Sequence, residues 1–232
     1  MSTQTAPAST RTRRDRNHIP LLPPTAAYVA LTVLGLMLPA LLAGVRPWSS
    51  DHALLAFFQH HTGAAHASAF FMLAAAVPFS IFTAVATTRL RTLGLDVPGR
   101  IIAQVGGTLA TAMLAFAGVA TLAATQAHVA ESDAAVRVLY GLSFAAGGPA
   151  FVIFSGLLVL GVSLTGLIGR VLPPQVGWFG VGVALVSELA ALAALSDRLD
   201  VLLPIGRFGG LVWMIATAAT LPASRKQQRD QR

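Results

Sequence analysis

The chain has 232 residues, of which 55% are hydrophobic and only 11% are charged, whereas a soluble domain carries about 25% charged residues. This composition excludes an ordinary soluble protein and indicates a protein that folds in lipid. The net charge of +7 does not indicate nucleic-acid binding, because the basic residues lie at the termini and in short gaps between apolar runs. Without cysteine, the chain has no disulfide, thiolate metal site or cysteine nucleophile.

The first 20 residues are rich in Ser, Thr and Arg and lack apolar periodicity, which predicts a disordered basic tail. The apolar run that follows, 25–45, is longer than the roughly 7–15 residues of a signal-peptide core. We therefore expect this run to remain in the protein as a first transmembrane helix.

Six apolar runs are long enough to cross a hydrocarbon core about 30 Å thick, which takes about 20 helical residues. Each is predicted to be a helix, because unpaired backbone groups cannot face lipid. The predicted spans are 25–45, 67–88, 101–125, 139–168, 177–195 and 204–221. The predicted fold class is therefore all-α, a polytopic bundle of six transmembrane helices within residues 21–222, followed by a second basic tail at 223–232.

The distribution of Lys and Arg on the two sides of these spans predicts the orientation of the bundle. Twelve basic residues, among them Arg89, Arg100 and Arg170, fall on the side of the termini, and four fall on the other side. Because basic residues are retained in the cytoplasm, both termini are predicted to be cytoplasmic.

The first outer loop contains an amphipathic segment, 49–63, that is too short to span a membrane. Ser50 fits a helix N-cap and Gly63 a stop signal, while Leu54 and Phe58 share one face at helical spacing. This pattern predicts a short helix that lies in the outer interface.

Glu188 is the only acidic residue inside a predicted span. An ionisable group at that depth costs several kcal/mol unless it is paired, protonated or in contact with water. Arg207 lies about one turn inside the outer end of the sixth span, and the expected difference in depth between the two residues is roughly 6 Å. The pair is a candidate intramembrane polar site. It either fixes the fifth helix against the sixth or couples protons or substrate.

The sequence Gly147-Gly148-Pro149 interrupts the fourth span and predicts a kink or helix break, since proline removes a backbone hydrogen bond. A break can expose backbone groups to a binding site or can serve packing alone. Other glycines of the spans are predicted to allow close helix contacts. They are Gly106, Gly107, Gly156, Gly161, Gly166, Gly182, Gly209 and Gly210.

Four histidines lie in or beside the outer loop, at His52, His60, His61 and His66. Their spacing does not match the i, i+3 or i, i+4 pairs of a helical metal site, although a turn at Gly63 would bring them closer. We expect polar interface residues and no metal site. No nucleophile has a histidine and an acid at matching depth, and no phosphate-binding loop is present, so neither catalytic residues nor a cofactor are predicted.

Four segments in the second half of the chain form a distinctive set: LSFAAGGP at 142–149, LPP at 172–174, ELA at 188–190 and LLPIGRFGGLVW at 202–213. Together they resemble a group of small, uncharacterised bacterial multi-pass membrane proteins with six spans. The resemblance implies a location in the bacterial inner membrane and implies no activity.

These observations lead to two expectations for function. The first is a non-enzymatic accessory or interaction protein of the inner membrane, which binds a membrane protein partner or a second copy of itself. The alternative is a small transporter or permease-like carrier with an outward-facing polar site at Glu188 and Arg207. In either case the chain is surrounded by the lipid bilayer and binds no nucleic acid.

Overall fold

The computed structural model describes residues 20–43, 51–126, 129, 132–195 and 202–224, and the regular secondary structure of this part of the chain is all helical, without a β-strand. In chain order its helices are α1 (Leu22–Ala43), α2 (Asp51–His60), α3 (Thr62–Thr92), α4 (Pro98–Ala124), α5 (Asp133–Ala145), α6 (Phe151–Ile168), α7 (Pro174–Leu189) and α8 (Leu202–Thr220). A π-helical turn, Ala146–Ala150, joins α5 to α6, and a 3-10 turn, Ala190–Leu195, follows α7.

Five stretches of helix are long and apolar enough to cross a membrane, as expected for a multi-pass membrane protein. They are Thr62–Thr92, Pro98–Ala124, Asp133–Ile168, Pro174–Leu192 and Leu202–Thr220. Within α1, a shorter apolar helix, Leu22–Met37, corresponds to the first predicted span. The two predicted tails lie almost entirely outside the described residues, as does the predicted N-cap at Ser50.

A short helix, α2, lies where the first outer loop was predicted to contain one, and α3 begins two residues after it ends. Phe57 and Phe58 of α2 are buried, and the Phe58 ring packs edge-on against Tyr140 at 6.3 Å between centroids. The two phenylalanines form a small core with α3, α4 and α5. The helix is therefore held to the bundle by aromatic contacts.

Neighbouring helices pack in a cyclic order. α1 packs on α3, α3 on α4, α4 on α6, α6 on α7 and α7 on α8, whereas α1 touches α8 only lightly. Ser68, near the start of α3, donates a 2.9 Å hydrogen bond to the carbonyl oxygen of Gly35, whereas Tyr28, earlier in α1, packs on Phe79, later in α3, so these two helices are antiparallel. Among the neighbouring helix pairs in this order, α1 and α8 therefore have the smallest contact, and the bundle closes most weakly between them.

Glycines let the helices approach closely at several of these junctions. A Cβ atom at Gly106 of α4 would lie 2.5 Å from Leu157 Cβ and 2.7 Å from the Phe154 carbonyl oxygen of α6. The predicted helix contact is observed for Gly106, Gly107, Gly156, Gly161 and Gly209, whereas Gly166 lies against Leu172 of the connection that follows α6. It is wrong for Gly182 and Gly210, where a Cβ would meet no atom of the described residues within 4 Å.

One end of the bundle is basic. The connection between α3 and α4 touches the connection between α6 and α7, as shown by Leu95, which lies where a Cβ at Gly169 would be. Arg89 Nη1 donates a 2.8 Å hydrogen bond to the carbonyl oxygen of Leu221, just after α8. The end of α3, the start of α4, the end of α6 and the end of α8 therefore lie together. The basic residues described at this end are Arg89, Arg91, Arg100 and Arg170.

Candidate functional site

Arg207 lies in the second turn of α8 and is anchored to the helix α5–α6. Its Nη1 donates a 2.6 Å hydrogen bond to the carbonyl oxygen of Gly147. Its Cζ stands 5.1 Å from the centre of the Phe151 ring, which is a cation–π distance. Its Nε is buried and has no hydrogen-bond partner in the described part of the chain. The guanidinium is thus anchored through Nη1, while its Nε–H can still donate a hydrogen bond.

The π turn explains why the Gly147 carbonyl oxygen accepts a hydrogen bond from Arg207. Pro149 has no N–H to contribute to an α-helical pattern. The N–H of Phe151, which in an α-helix would bond to Gly147, bonds instead to the carbonyl oxygens of Ala146 and Gly148. The predicted break at Gly147, Gly148 and Pro149 is thus a turn of different hydrogen bonding within a continuous helix. Turns of this kind occur frequently at functional sites.

Glu188 lies in the last turn of α7 and faces α6. Its Oε1 is 3.1 Å from the position that a Cβ at Gly156 would occupy, and it is buried without a hydrogen-bond partner among the described residues. No carboxylate oxygen of Glu188 lies within 4.0 Å of an Arg207 nitrogen. The two side chains therefore do not form an ion pair in this structure, and their coupling stays a prediction.

A row of aromatic rings from three helices leads to Arg207. The Tyr28 ring of α1 lies 5.0 Å from the Phe79 ring of α3, which lies 5.4 Å from the Phe151 ring of α6. All three side chains are at most 2% exposed. The sequence analysis did not identify this row, because no spacing within one helix relates residues that come from three.

A small pocket of about 10 Å³ lies beside the guanidinium, which is room for about one water molecule. Its polar lining residues are Tyr28, Ser155, Ser187 and Arg207, and Glu188 does not line it. The hydroxyls of the two serines donate to carbonyl oxygens of their own helices, at 3.0 and 2.9 Å. The groups with hydrogen-bond donors to spare for the pocket are therefore Arg207 and the phenol of Tyr28.

A second group of buried polar atoms lies closer to the basic end. Ser163 Oγ and Trp213 Nε1 both lie against Gly180, and neither has a hydrogen-bond partner among the described residues. Buried polar atoms without a protein partner mark places where water or an ion can bind. The sequence analysis noted Trp213 only as part of a resemblance.

The histidines of the outer region are not gathered into one site by the described residues. His66 Nδ1 lies 2.9 Å from the Thr62 carbonyl oxygen, and its Nε2 lies 3.1 Å from Thr125 Oγ1. His60 and His61 are exposed. Within the described ranges, no group of three or more potential metal ligands occurs.

No protein-family model, curated protein or solved structure matches this chain. The site is therefore interpreted from its own residues.

The contact between Arg207 and Phe151 is expected to be energetically significant. In a double-mutant cycle of Arg207→Gln and Phe151→Leu, we expect a coupling free energy of about 0.5–2 kcal/mol, the range of cation–π pairs. The measurement is the free energy of unfolding in detergent. Phe82→Leu is the matched control, since the Phe82 ring packs on Trp213 instead. Additivity in the Phe151 cycle would contradict the assignment.

Proposed function

We propose that this chain is a six-span protein of the bacterial inner membrane that acts as a non-enzymatic accessory protein by binding another membrane protein. The observation that carries the proposal is the limited space beside Arg207. This side chain is anchored to Gly147 and packed on Phe151, and the space beside it holds about one water molecule. A polar site with so little space beside it favours a bundle that works through its outer surface.

The basic end of the bundle supports an orientation with both termini in the cytoplasm. Its arginines come from α3, α4 and the connection after α6, and the end of α8 lies beside them. Since α1 is antiparallel to α3, the start of α1 is also directed toward this end. Positively charged loops are retained on the cytoplasmic side. With α1 counted as a span beside the five longer helices, the bundle has six spans and both termini in the cytoplasm.

This orientation is tested with reporter fusions. We expect alkaline phosphatase, which is active only outside the cytoplasm, to be inactive when fused after Arg232 and active when fused after Glu131. Green fluorescent protein fused after Arg232 should fluoresce. The fusion after Glu131 is the internal control, because it lies on the opposite side of the proposed bundle. An active phosphatase after Arg232 would contradict the proposed cytoplasmic C-terminus, and with it either the orientation or the six-span count.

Partner binding is tested by placing a photo-crosslinking amino acid on the outer surface of the bundle. Suitable exposed positions are Val77, Val105, Trp178 and Val212, on α3, α4, α7 and α8. We expect adducts of one defined mass, formed from one helix or two neighbouring helices, because a protein partner covers only part of the surface. Ala103, which is fully buried, is the control and should give no adduct. Lipid adducts alone at all four positions would contradict the proposal.

A carrier is the second candidate, favoured by the buried Glu188 Oε1 and Arg207 Nε that lack partners among the described residues. Ionisable groups inside spans often line transport pathways. The carrier requires substrate to reach Glu188, so Glu188→Gln should lower solute flux into proteoliposomes at least several-fold. Equal flux through wild type and Glu188→Gln would rule out this mechanism.

A further inference from the structure

Arg207 has no carboxylate partner among the residues that the structure describes. The acceptor of its described hydrogen bond is a neutral carbonyl oxygen, and no carboxylate oxygen of the described residues lies within 4.0 Å of its nitrogens. An arginine side chain does not lose its proton in a protein. The side chain is partly exposed as a whole, but its Nε is buried without a partner among the described residues, and a desolvated charge without a partner costs several kcal/mol even after relaxation. The Nε therefore offers a hydrogen-bond donor to a negative charge that the described residues do not supply.

The acidic side chains that the structure describes, those of Asp96, Asp133 and Glu188, are engaged or lie elsewhere. Glu188 points its buried oxygen at Gly156, on the junction of α6 with α7, and does not line the pocket. Asp96 pairs with Arg100 at 2.6 Å in the basic end. Asp133 is exposed at the start of α5 and precedes Gly147, which accepts the hydrogen bond of Arg207, by 14 residues, or about 21 Å along the helix. None of these carboxylates neutralises the guanidinium in this structure.

The pocket beside Arg207 restricts what can supply the charge. Its volume of about 10 Å³ leaves room for about one water-sized species beside the guanidinium. The guanidinium and the Tyr28 phenol offer donors, while the serine hydroxyl protons are already used. The remaining lining includes Phe79, Leu158 and Met214, which are apolar. Donors in an apolar setting favour a ligand that accepts hydrogen bonds, carries one negative charge and is weakly hydrated.

We propose that the Arg207 pocket binds one small monovalent anion of the halide class, for which chloride is the natural probe. The anion neutralises the guanidinium and bridges α8 to α1 through Tyr28. The pocket lies where α1 packs lightly on α8, so binding stabilises the weakest closure of the bundle. This role is independent of the proposed binding of a partner protein.

The test compares sodium chloride with sodium gluconate at constant ionic strength, using the full chain in detergent. We expect chloride at about 100 times its Kd to raise the melting temperature by roughly 5–10 °C. Equilibrium binding of radioactive chloride should reach about one ion per chain. Gluconate is the control because it has the same charge and is too large for the pocket.

Variants locate the ion. Arg207→Gln should abolish both the chloride-dependent shift and the binding of radioactive chloride. Ser155→Val places an extra methyl group in the pocket without removing the guanidinium, and it should weaken chloride binding at least tenfold. This second variant decides the matter if Arg207→Gln does not fold. Arg91→Gln, which removes an exposed arginine at the basic end, is the matched control and should retain the wild-type response.

Two results would overturn the proposal. The first is a wild-type chain that melts at the same temperature in both salts and binds no radioactive chloride, which would mean that only water occupies the pocket. The second is a chloride response that persists in Arg207→Gln or in Ser155→Val, which would place the ion elsewhere.

Discussion

The half of this bundle that lies away from the basic end is organised by the need to accommodate an arginine side chain in an apolar interior. A guanidinium in such a place needs an acceptor, an aromatic face or a counter-charge, because each unsatisfied donor has lost its water. The π turn supplies the acceptor at Gly147, and the first residue of α6 supplies the ring. Gly206, just before the arginine, lets α8 approach closely enough, since a Cβ there would lie 2.8 Å from Val152 Cγ1 and 2.9 Å from Ser187 Oγ.

Most of the helical architecture could be predicted from the sequence, because a lipid environment demands long apolar runs with internally paired backbones. Each predicted run coincides with described helix over most of its length, as does most of the short segment before α3, while residues 44–45 of the first run lie outside the described residues. The predicted break in the fourth span proved to be a continuous helix with a π turn. The sequence shows that Pro149 cannot donate a backbone hydrogen bond, but it does not indicate whether the helix ends there or continues through a π turn.

The candidate site could be predicted less completely, for a geometric reason. Counting residues along a helix gives the depth of a side chain, and the similar depths expected for Glu188 and Arg207 suggested an ion pair. The direction in which each side chain leaves its helix depends on how the helices are rotated about their axes, which a single sequence does not specify. Glu188 faces Gly156, while Arg207 faces Gly147 and Phe151. The row formed by Tyr28 and Phe79 depends on the same unknown rotations.

The π turn at Ala146–Ala150 also sets how far α5 is rotated about the helix axis relative to α6. An α-helix advances by about 100° for each residue, so the loss of one residue here would swing the whole of α5 by about that angle. Val136, which packs with Phe57 and Phe58, would then turn away from them, while the contacts of α6 with α4 and α7 would keep their places. Deletion or insertion of one residue at this point would thus rotate α5 and disturb its packing against α2, while the packing of α6 on α4 and α7 would be preserved.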